Sequence, residues 1–299
     1  MQKIVPHIWF DDTAEDAARL YTGLLPGSNV GKTSRYGQAG CDQHGQPEGK
    51  VMAVEILLDG YMLVTINGGP HFRPTPAVSY FLQLQRAEDV VRVWQALVED
   101  GQVLMPLDAY DWSPQYGWLN DRYGVSWQIS QGPKADVGQP VAPSLMFTGA
   151  QAGNAEAAIE QYTAVFPDSG VEGILRHDGS GSDAEGTVMH AQFHLAGETF
   201  MAMDSALAHD FGFTEANSFL IMCDSQEEID HYWHALSAAP EAEACGWLKD
   251  RFGVSWQVVP SVFPQMMTDP DRDRVERVTE AFMQMKKMDL AALERAWKG

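Results

Sequence analysis

Positive charge is scarce in this chain. Lysine and arginine number 20 against 41 aspartates and glutamates, which gives a formal charge of −21 and a pI near 4.6. Such a field repels phosphate backbones and anionic bilayers and argues against nucleic-acid and membrane-surface partners. Cysteine is scarce too. Cys41, Cys223 and Cys245 are scattered, odd in number and without CxxC spacing, so neither a disulfide framework nor a thiolate zinc site is expected. No segment approaches the roughly 18 uninterrupted apolar residues of a membrane span. No apolar stretch follows a basic head near Met1–Pro6, so the expectation is a cytoplasmic chain without secretion signal or span. What remains is 299 residues, 45% apolar and 20% charged, which suits two globular domains.

The chain repeats itself. Gly117-Trp118-Leu119-Asn120-Asp121-Arg122-Tyr123-Gly124-Val125-Ser126-Trp127-Gln128-Ile129-Ser130 returns as Gly246-Trp247-Leu248-Lys249-Asp250-Arg251-Phe252-Gly253-Val254-Ser255-Trp256-Gln257-Val258-Val259, identical at ten of fourteen positions. Upstream, Ala14-Glu15, Tyr21 and Pro26 match Ala155-Glu156, Tyr162 and Pro167 at the same spacing, and Ser79, Trp94 and Leu97 match Ser218, Trp233 and Leu236. The order means a duplicated domain. The copies span 1–131 and 141–262, the Gly/Pro/polar segment 132–140 is a linker, and 263–299 is a helical tail.

Within each copy the hydrophobic period switches repeatedly. Ile4–Phe10 reads as a strand, and Asp12 or Thr13 caps a helix carrying Ala17, Leu20, Tyr21 and Leu24. Strand patterns follow near Val30–Tyr36, Val51–Leu58 and Tyr61–Ile66, with Gly60 in the tight turn between the last two. The pattern restarts with strand Ala77–Leu84, helix Ala87–Glu99 and short strands ending in Val125–Ile129. Each copy is therefore βαβββ written twice, four units in all, in an α+β architecture. Ser225-Gln226-Glu227-Glu228 reads as a reciprocal capping box. In the tail, Val275, Val278, Phe282 and Met285 share a helix face that packs on the body or on a dimer partner, and Asp289 caps Leu290–Trp297. Asp121-Arg122-Tyr123-Gly124 and its repeat read as turns, Trp118, Trp127, Trp247 and Trp256 mostly as core, and Asn67-Gly68-Gly69-Pro70-His71 as a plain loop without the glycine spacing of a phosphate cradle.

Strand parity points to a pocket. A strand sends alternate side chains to opposite faces. Val188–Leu195 places Met189, Ala191, Phe193 and Leu195 under helices and His190, Gln192 and His194 opposite. Its equivalent places Met52, Val54, Ile56 and Leu58 under helices and Ala53, Glu55 and Leu57 opposite. The same reasoning pairs Ser126 with Gln128, Ser255 with Gln257, and His7 with Val5 and Trp9. A strand covered on one side and polar on the other faces solvent or a wet cavity. The expected ligand-binding set is thus His7, Trp9, Glu55, Ser126, Gln128, His190, Gln192, His194, Ser255 and Gln257, on a concave surface in each half.

Four βαβββ units resemble the vicinal oxygen chelate superfamily, the glyoxalase, bleomycin-resistance and extradiol dioxygenase fold, in which two units make one cupped domain. Pro6-His7-Ile8-Trp9-Phe10-Asp11-Asp12, Asn67-Gly68-Gly69-Pro70-His71-Phe72 and the Gly-Trp-Leu-x-Asp-Arg-[Tyr/Phe]-Gly-Val-Ser-Trp-Gln repeat are similar to the PhnB-like group, which carries the label 3-demethylubiquinone-9 3-methyltransferase domain. Metal-using members of the superfamily carry His on the first strand, His on the strand opening the second unit, and Glu on the last strand, some with a carboxylate on the fourth. The resemblance maps these onto Val5, Ser79 and Gln128 in one copy and Val141, Ser218 and Gln257 in the other, with the fourth-strand site near Leu63–Thr65 and Phe200–Ala202. Glutamine lacks the charge that holds a divalent ion, and serine lacks the imidazole. No metal and no other cofactor is therefore expected, and His7 with Glu55 is the remaining pair for a shifted site.

The expected function is metal-independent binding of a small amphipathic or aromatic molecule by a cytoplasmic homodimer, with the negative charge favouring a cationic ligand. The alternatives are an enzyme, either a lyase or dioxygenase with a shifted metal or a methyltransferase as the family label says, and an interaction protein acting through its tail. No Gly-rich turn between strand and helix offers an adenosylmethionine site.

Overall fold

A computed structural model describes residues 2–299. The first unit comprises β1 (Ile4–Phe10), α1 (Ala14–Thr22), β2 (Asn29–Arg35), the single turn α2 (Cys41–His44), β3 (Val51–Leu58) and β4 (Tyr61–Asn67). The second comprises β5 (Val78–Leu84), α3 (Ala87–Val98), β6 (Gln102–Tyr110), β7 (Ser113–Asn120) and β8 (Ser126–Gln131). The third comprises β9 (Val141–Phe147), α4 (Ala155–Val165), β10 (Gly170–Arg176), β11 (Val188–Leu195) and β12 (Glu198–Asp204). The fourth has β13 (Asn217–Cys223), α5 (Gln226–Leu236), β14 (Trp247–Lys249) and β15 (Ser255–Pro260), followed by the tail helices α6 (Phe263–Met266), α7 (Arg272–Phe282) and α8 (Leu290–Lys298).

The fourth unit departs from the expected βαβββ. Twenty positions separate Leu97 from Gly117, but only ten separate Leu236 from Gly246. The missing ten remove the counterpart of β6 and shorten its partner strand to three residues. The tail fills the gap. Cys245, at φ 53°, and Gly246, at φ 85°, turn the chain so that their N–H groups donate to the carbonyls of Met285 and Lys286, at 2.8 and 2.7 Å. Val278, Met288 and Leu293 are buried, with Val275, Phe282 and Met285 packed beside them. The shared helix face read from the sequence thus lies on the body.

Strand pairing differs from the expectation of one trough per half. The seven-stranded sheet runs β14-β15-β13-β1-β4-β3-β2 and the eight-stranded sheet β10-β11-β12-β9-β5-β8-β7-β6. Each sheet therefore takes one unit from each half, joined where β1 runs antiparallel to β13 and β5 to β9. The cores divide the other way. Ile8, Tyr21, Val54, Tyr80, Val93 and Trp127 belong to one cluster drawn from the first half and reaching only to Val141. The second cluster comes from the second half apart from Ile4, Val5, Val64 and Val78. The two units of a half pack through their helix faces, which leaves the β1 and β5 edges to pair with the other half.

Two buried aspartates lock that arrangement. Asp121 Oδ2 accepts Tyr21 Oη–H at 2.7 Å and Trp127 Nε1–H at 2.9 Å, while Oδ1 accepts the N–H groups of Tyr123 and Val125. Asp250 repeats the pattern with Tyr162, Trp256, Phe252 and Val254. The repeated Asp-Arg-[Tyr/Phe]-Gly motif is thus a turn, as read, whose carboxylate also ties α1 or α4 to the neighbouring unit. Burial pushes both carboxyls above their ordinary range, against the pull of these donors.

Helix capping is less local than expected. Thr13 makes no capping bond; instead Asn67 Oδ1, at the end of β4, accepts the Ala14 N–H at 2.9 Å. Asp204 at the end of β12 does the same for Ala155 at 3.1 Å. Ser225 caps α5 through Glu228 N–H, but Glu228 returns its carboxylate to the Asp224 N–H. Asp271 and Asp289 cap α7 and α8.

Candidate functional site

The concave face of the seven-stranded sheet encloses a cavity of about 360 Å³. Parity builds its wall: β1 contributes Val5, His7 and Trp9, β4 contributes Met62, Val64 and Ile66, and β13 contributes Leu220 and Met222. The alternate residues Ile4, Ile8, Leu63, Phe219 and Ile221 lie in the cores behind. Gln257 and Val259 come from β15 and Trp247 from β14, and the tail closes the roof with Phe263, Met267, Phe282 and Met283. Met52, expected beneath helices, instead lines the cavity with Ala53. Its counterpart Met189 is 41% exposed, whereas Ala191, Phe193 and Leu195 are buried as expected.

Trp9 is seated by the Asn67–Phe72 loop. Its Nε1–H donates to the Gly69 carbonyl at 2.8 Å, and Phe72 and Trp247 meet it edge-on at 5.3 and 6.3 Å. A Cβ on Gly68 would sit 2.1 Å from the indole, so only glycine fits there. This loop holds an aromatic wall.

Few polar groups reach the cavity. His7 is 8% exposed, and its Nδ1–H donates to the Val5 carbonyl at 3.1 Å, since a carbonyl can only accept. That tautomer leaves Nε2 as an acceptor. Burial lowers the His7 pKa to about 4, so the ring is neutral at physiological pH. Gln257 Nε2 donates to Ser218 Oγ at 2.9 Å, and among the described residues no donor meets its Oε1. Among the described residues, Glu55 is the only carboxylate lining the cavity, against Lys32 and Arg35. The charge of −21 is therefore not concentrated at this site, and the expectation of a cationic ligand does not hold for its lining.

The expected ligand-binding residues separate onto the two sheets. His7, Trp9, Glu55 and Gln257 line the cavity, and Ser255 lies on the same face with a buried Oγ that has no partner. Ser126, Gln128, His190, Gln192 and His194 lie on the eight-stranded sheet, where the linker occupies the concavity. Gln192 Nε2 donates to the Asp136 carbonyl at 2.8 Å, Thr199 Oγ1 to the Val137 carbonyl at 2.8 Å, and Val137 is buried with Ala142 and Met201. Gln192 also donates to Glu172 at 2.6 Å, and His194 Nδ1 lies 3.9 Å from that carboxylate. Burial lowers the pKa of His190. Ser126 accepts from Trp118 Nε1 at 2.8 Å.

The two repeats treat one glutamine differently. Gln128 is paired at both ends: Nε2 donates to Ser79 at 2.7 Å, and Oε1 accepts from Tyr116 Oη at 2.7 Å. Cys245 occupies the Tyr116 position, immediately before the repeated Gly-Trp-Leu, and its side chain cannot deliver that hydroxyl. Gln257 Oε1 is left for the cavity.

The superfamily's metal positions do not fit a divalent ion here. Val5 pairs with Leu220 and Ala142 with Phe81, so the counterpart of Val5 is Ala142 and not Val141, which points into a core. His7 directs Nδ1 to the backbone, Gln257 is committed to Ser218, and Val64 occupies the cavity-facing fourth-strand position. Among the described residues, no three His, Cys, Asp or Glu side chains gather into a metal-binding group. No helix among them is long and apolar enough to cross a membrane.

Residues from outside the four βαβββ strand faces were not anticipated. Tyr36 and His44 come from the segment between β2 and β3, and Phe263, Thr279, Phe282 and Met283 from the tail. The ten-residue deficit before Gly246, read beside the apolar face of α7, was the signal that the tail completes this unit.

No curated protein matches the chain. The PhnB protein from Bacillus cereus is 35% identical over 44% of this chain and 100% of its own, with a TM-score of 0.40. Glyoxalase I from Zea mays is 8% identical over 88% of this chain and 96% of its own, with a TM-score of 0.55, which is likeness of fold alone. The family described as 3-demethylubiquinone-9 3-methyltransferase matches residues 2–130 and again 139–259. The chain belongs to that family, the PhnB-like group, in two tandem copies.

Proposed function

We propose that the chain is a small-molecule-binding protein with one metal-independent site, the cavity of the seven-stranded sheet. One observation carries the reading: two acceptors without a partner among the described residues, His7 Nε2 and Gln257 Oε1, face an apolar enclosure, whereas the equivalent Gln128 Oε1 is taken by Tyr116. Both acceptors open into the cavity, so an occupant that displaces water from them keeps its place best by bringing a hydroxyl or N–H donor. The volume of about 360 Å³ lies in the usual range for small-molecule sites, and the methionines fit varied apolar shapes. The glutamines and serines at the superfamily's ligand positions support the reading that the ancestral metal site is degraded. Cytoplasmic location and dimerisation belong to the same proposal. Three free cysteines support the first, and the exposed Val103, Val171 and Leu175 on the edge strands β6 and β10 support the second.

Fluorescence titration with N-phenyl-1-naphthylamine, a neutral aromatic amine, tests the reading. One saturable equivalent per chain is expected. Leu220→Trp, which fills the cavity, abolishes it, whereas Phe81→Trp at the equivalent position of the other sheet does not. Equal binding by Leu220→Trp overturns the proposed site. A second reading, an enzyme of the superfamily, is favoured only by the free Nε2 of His7, a group able to accept a proton. Stoichiometric metal in protein purified without chelator would favour a lyase or dioxygenase, and adenosylmethionine binding would favour a methyltransferase.

A further inference from the structure

Among the described residues six basic side chains form no ion pair: Lys32, Arg35, Arg73, Arg251, Arg277 and Arg295. Of the six, Lys32 and Arg35 alone line the cavity. Both lie on β2, the edge strand of the seven-stranded sheet, and both line the mouth of the cavity. Arg35 donates one guanidinium N–H to the Gly49 carbonyl at 2.9 Å, which fixes the side chain while leaving its other donors free. The ammonium of Lys32 has no hydrogen-bond or ion-pair partner among the described residues. The nearby carboxylates are otherwise engaged: Glu55 accepts the main-chain N–H of Lys32 at 3.2 Å, and Glu276 accepts those of Gln38 and Ala39.

We infer that the cavity takes an amphipathic acid, its anionic group held by Lys32 and Arg35 and its apolar body among the methionines. This rests on the binding site proposed above and deepens it. The two ends of the enclosure ask for opposite chemistry. The deep end offers acceptors, His7 Nε2 and Gln257 Oε1, and suits a hydroxyl or N–H. The mouth offers the cationic donors of Lys32 and Arg35, which suit a carboxylate or sulfonate and outnumber the one carboxylate beside them, Glu55. A net negative protein repels such a molecule at long range, so two cations at the entrance against one carboxylate have a clear electrostatic use. A cationic ligand would meet them at contact distance and be disfavoured.

Two fluorescent probes of nearly the same aromatic body separate the claims: 8-anilinonaphthalene-1-sulfonate, which is anionic, and N-phenyl-1-naphthylamine, which is neutral. Titrations use the native full-length chain at low salt. The expected result is tighter binding of the sulfonate than of the amine, with the Lys32→Gln/Arg35→Gln variant weakening the sulfonate at least tenfold and leaving the amine within twofold. Lys32→Arg/Arg35→Lys restores the sulfonate affinity. Both residues are exposed, and an unchanged far-UV spectrum and denaturation midpoint verify that the glutamine variant is folded. Equal sulfonate affinity in parent and glutamine variant overturns the anion subsite while the amine still reports the cavity. Failure of both probes to bind, or binding that survives Leu220→Trp, overturns the cavity itself.

Discussion

Glu276 holds Ala39 by its main-chain N–H at 2.6 Å, across 237 residues of sequence. The same carboxylate takes the Gln38 N–H at 2.8 Å, so α7 is pinned to the segment between β2 and β3 over the cavity. A Cβ on Gly37 would lie 2.0 Å from Glu276 Oε1, and one on Gly40 would lie 2.1 Å from Met283 Sδ, so the loop is shaped to receive the tail. Glu276→Ala removes two charge-assisted hydrogen bonds and loosens the roof. The expected outcome is about tenfold faster dissociation of bound N-phenyl-1-naphthylamine by stopped flow, an energy of about 1.4 kcal/mol. Gly37→Ala, which displaces the same carboxylate, has the same effect. Unchanged dissociation in both variants would show that the roof does not gate the cavity.

The tyrosine–aspartate bonds tie the two units of each half together. Tyr21→Phe leaves a buried carboxylate one donor short, and Tyr162→Phe does so in the other half. Each is expected to lower stability by about 1.5–3 kcal/mol in denaturant titrations, the range for a hydrogen bond to a charged group. The two losses add, because the bonds lie in separate cores. A change below about 0.5 kcal/mol in either variant would contradict the role given to these bonds.

How much of this was legible in the sequence follows from the range of each interaction. Alternation along one strand is local, so the shared face of Val5, His7 and Trp9 could be read directly, as could the strand carrying Gln257. Capping from Asn67, 53 positions beyond Ala14, could not, because the capping atom arrives through strand pairing. Nor could the crossing of halves: whether β1 pairs with β13 or β5 depends on how α1 and α3 pack, which no strand pattern encodes. Tyr116 and Cys245 occupy equivalent positions in plain view, yet the consequence for Gln257 emerges only when Tyr116 Oη is found on Gln128.

Acid should act on His7 with a defined sign. Its pKa falls from 6.5 in the unfolded chain to about 4 when folded. The unfolded state therefore binds the proton first, and the stability conferred by the neutral ring is complete above pH 6.5 and lost as pH falls toward 4. The full loss is about 3 kcal/mol. Glu198 works in the opposite sense: burial raises it from 4.5 to about 7, so its contribution is complete below pH 4.5 and lost as pH rises through 7. The two slopes oppose each other between pH 4.5 and 6.5, and variants separate them. His7→Gln should flatten the acid limb of a stability–pH curve, and Glu198→Gln should raise stability near pH 8. An acid limb unchanged by His7→Gln would remove His7 as its source.

If the metal site is degraded as proposed, restoring its chemistry should restore the ion. Ser218 faces His7 directly across β13 and β1, and Gln257 is bonded to Ser218. The double variant Ser218→His/Gln257→Glu supplies a second imidazole and the missing negative charge beside His7, a donor set suited to Zn²⁺ or Ni²⁺. Calorimetric titration of the dialysed parent should show no stoichiometric Zn²⁺ binding, and the double variant should bind one equivalent. His7→Ala in that background should abolish it, since two of three ligands hold an ion poorly. Metal in the parent that disappears on His7→Ala or Glu55→Ala would instead place a working ion at the shifted pair, and the chain would then be read as a metal-dependent enzyme.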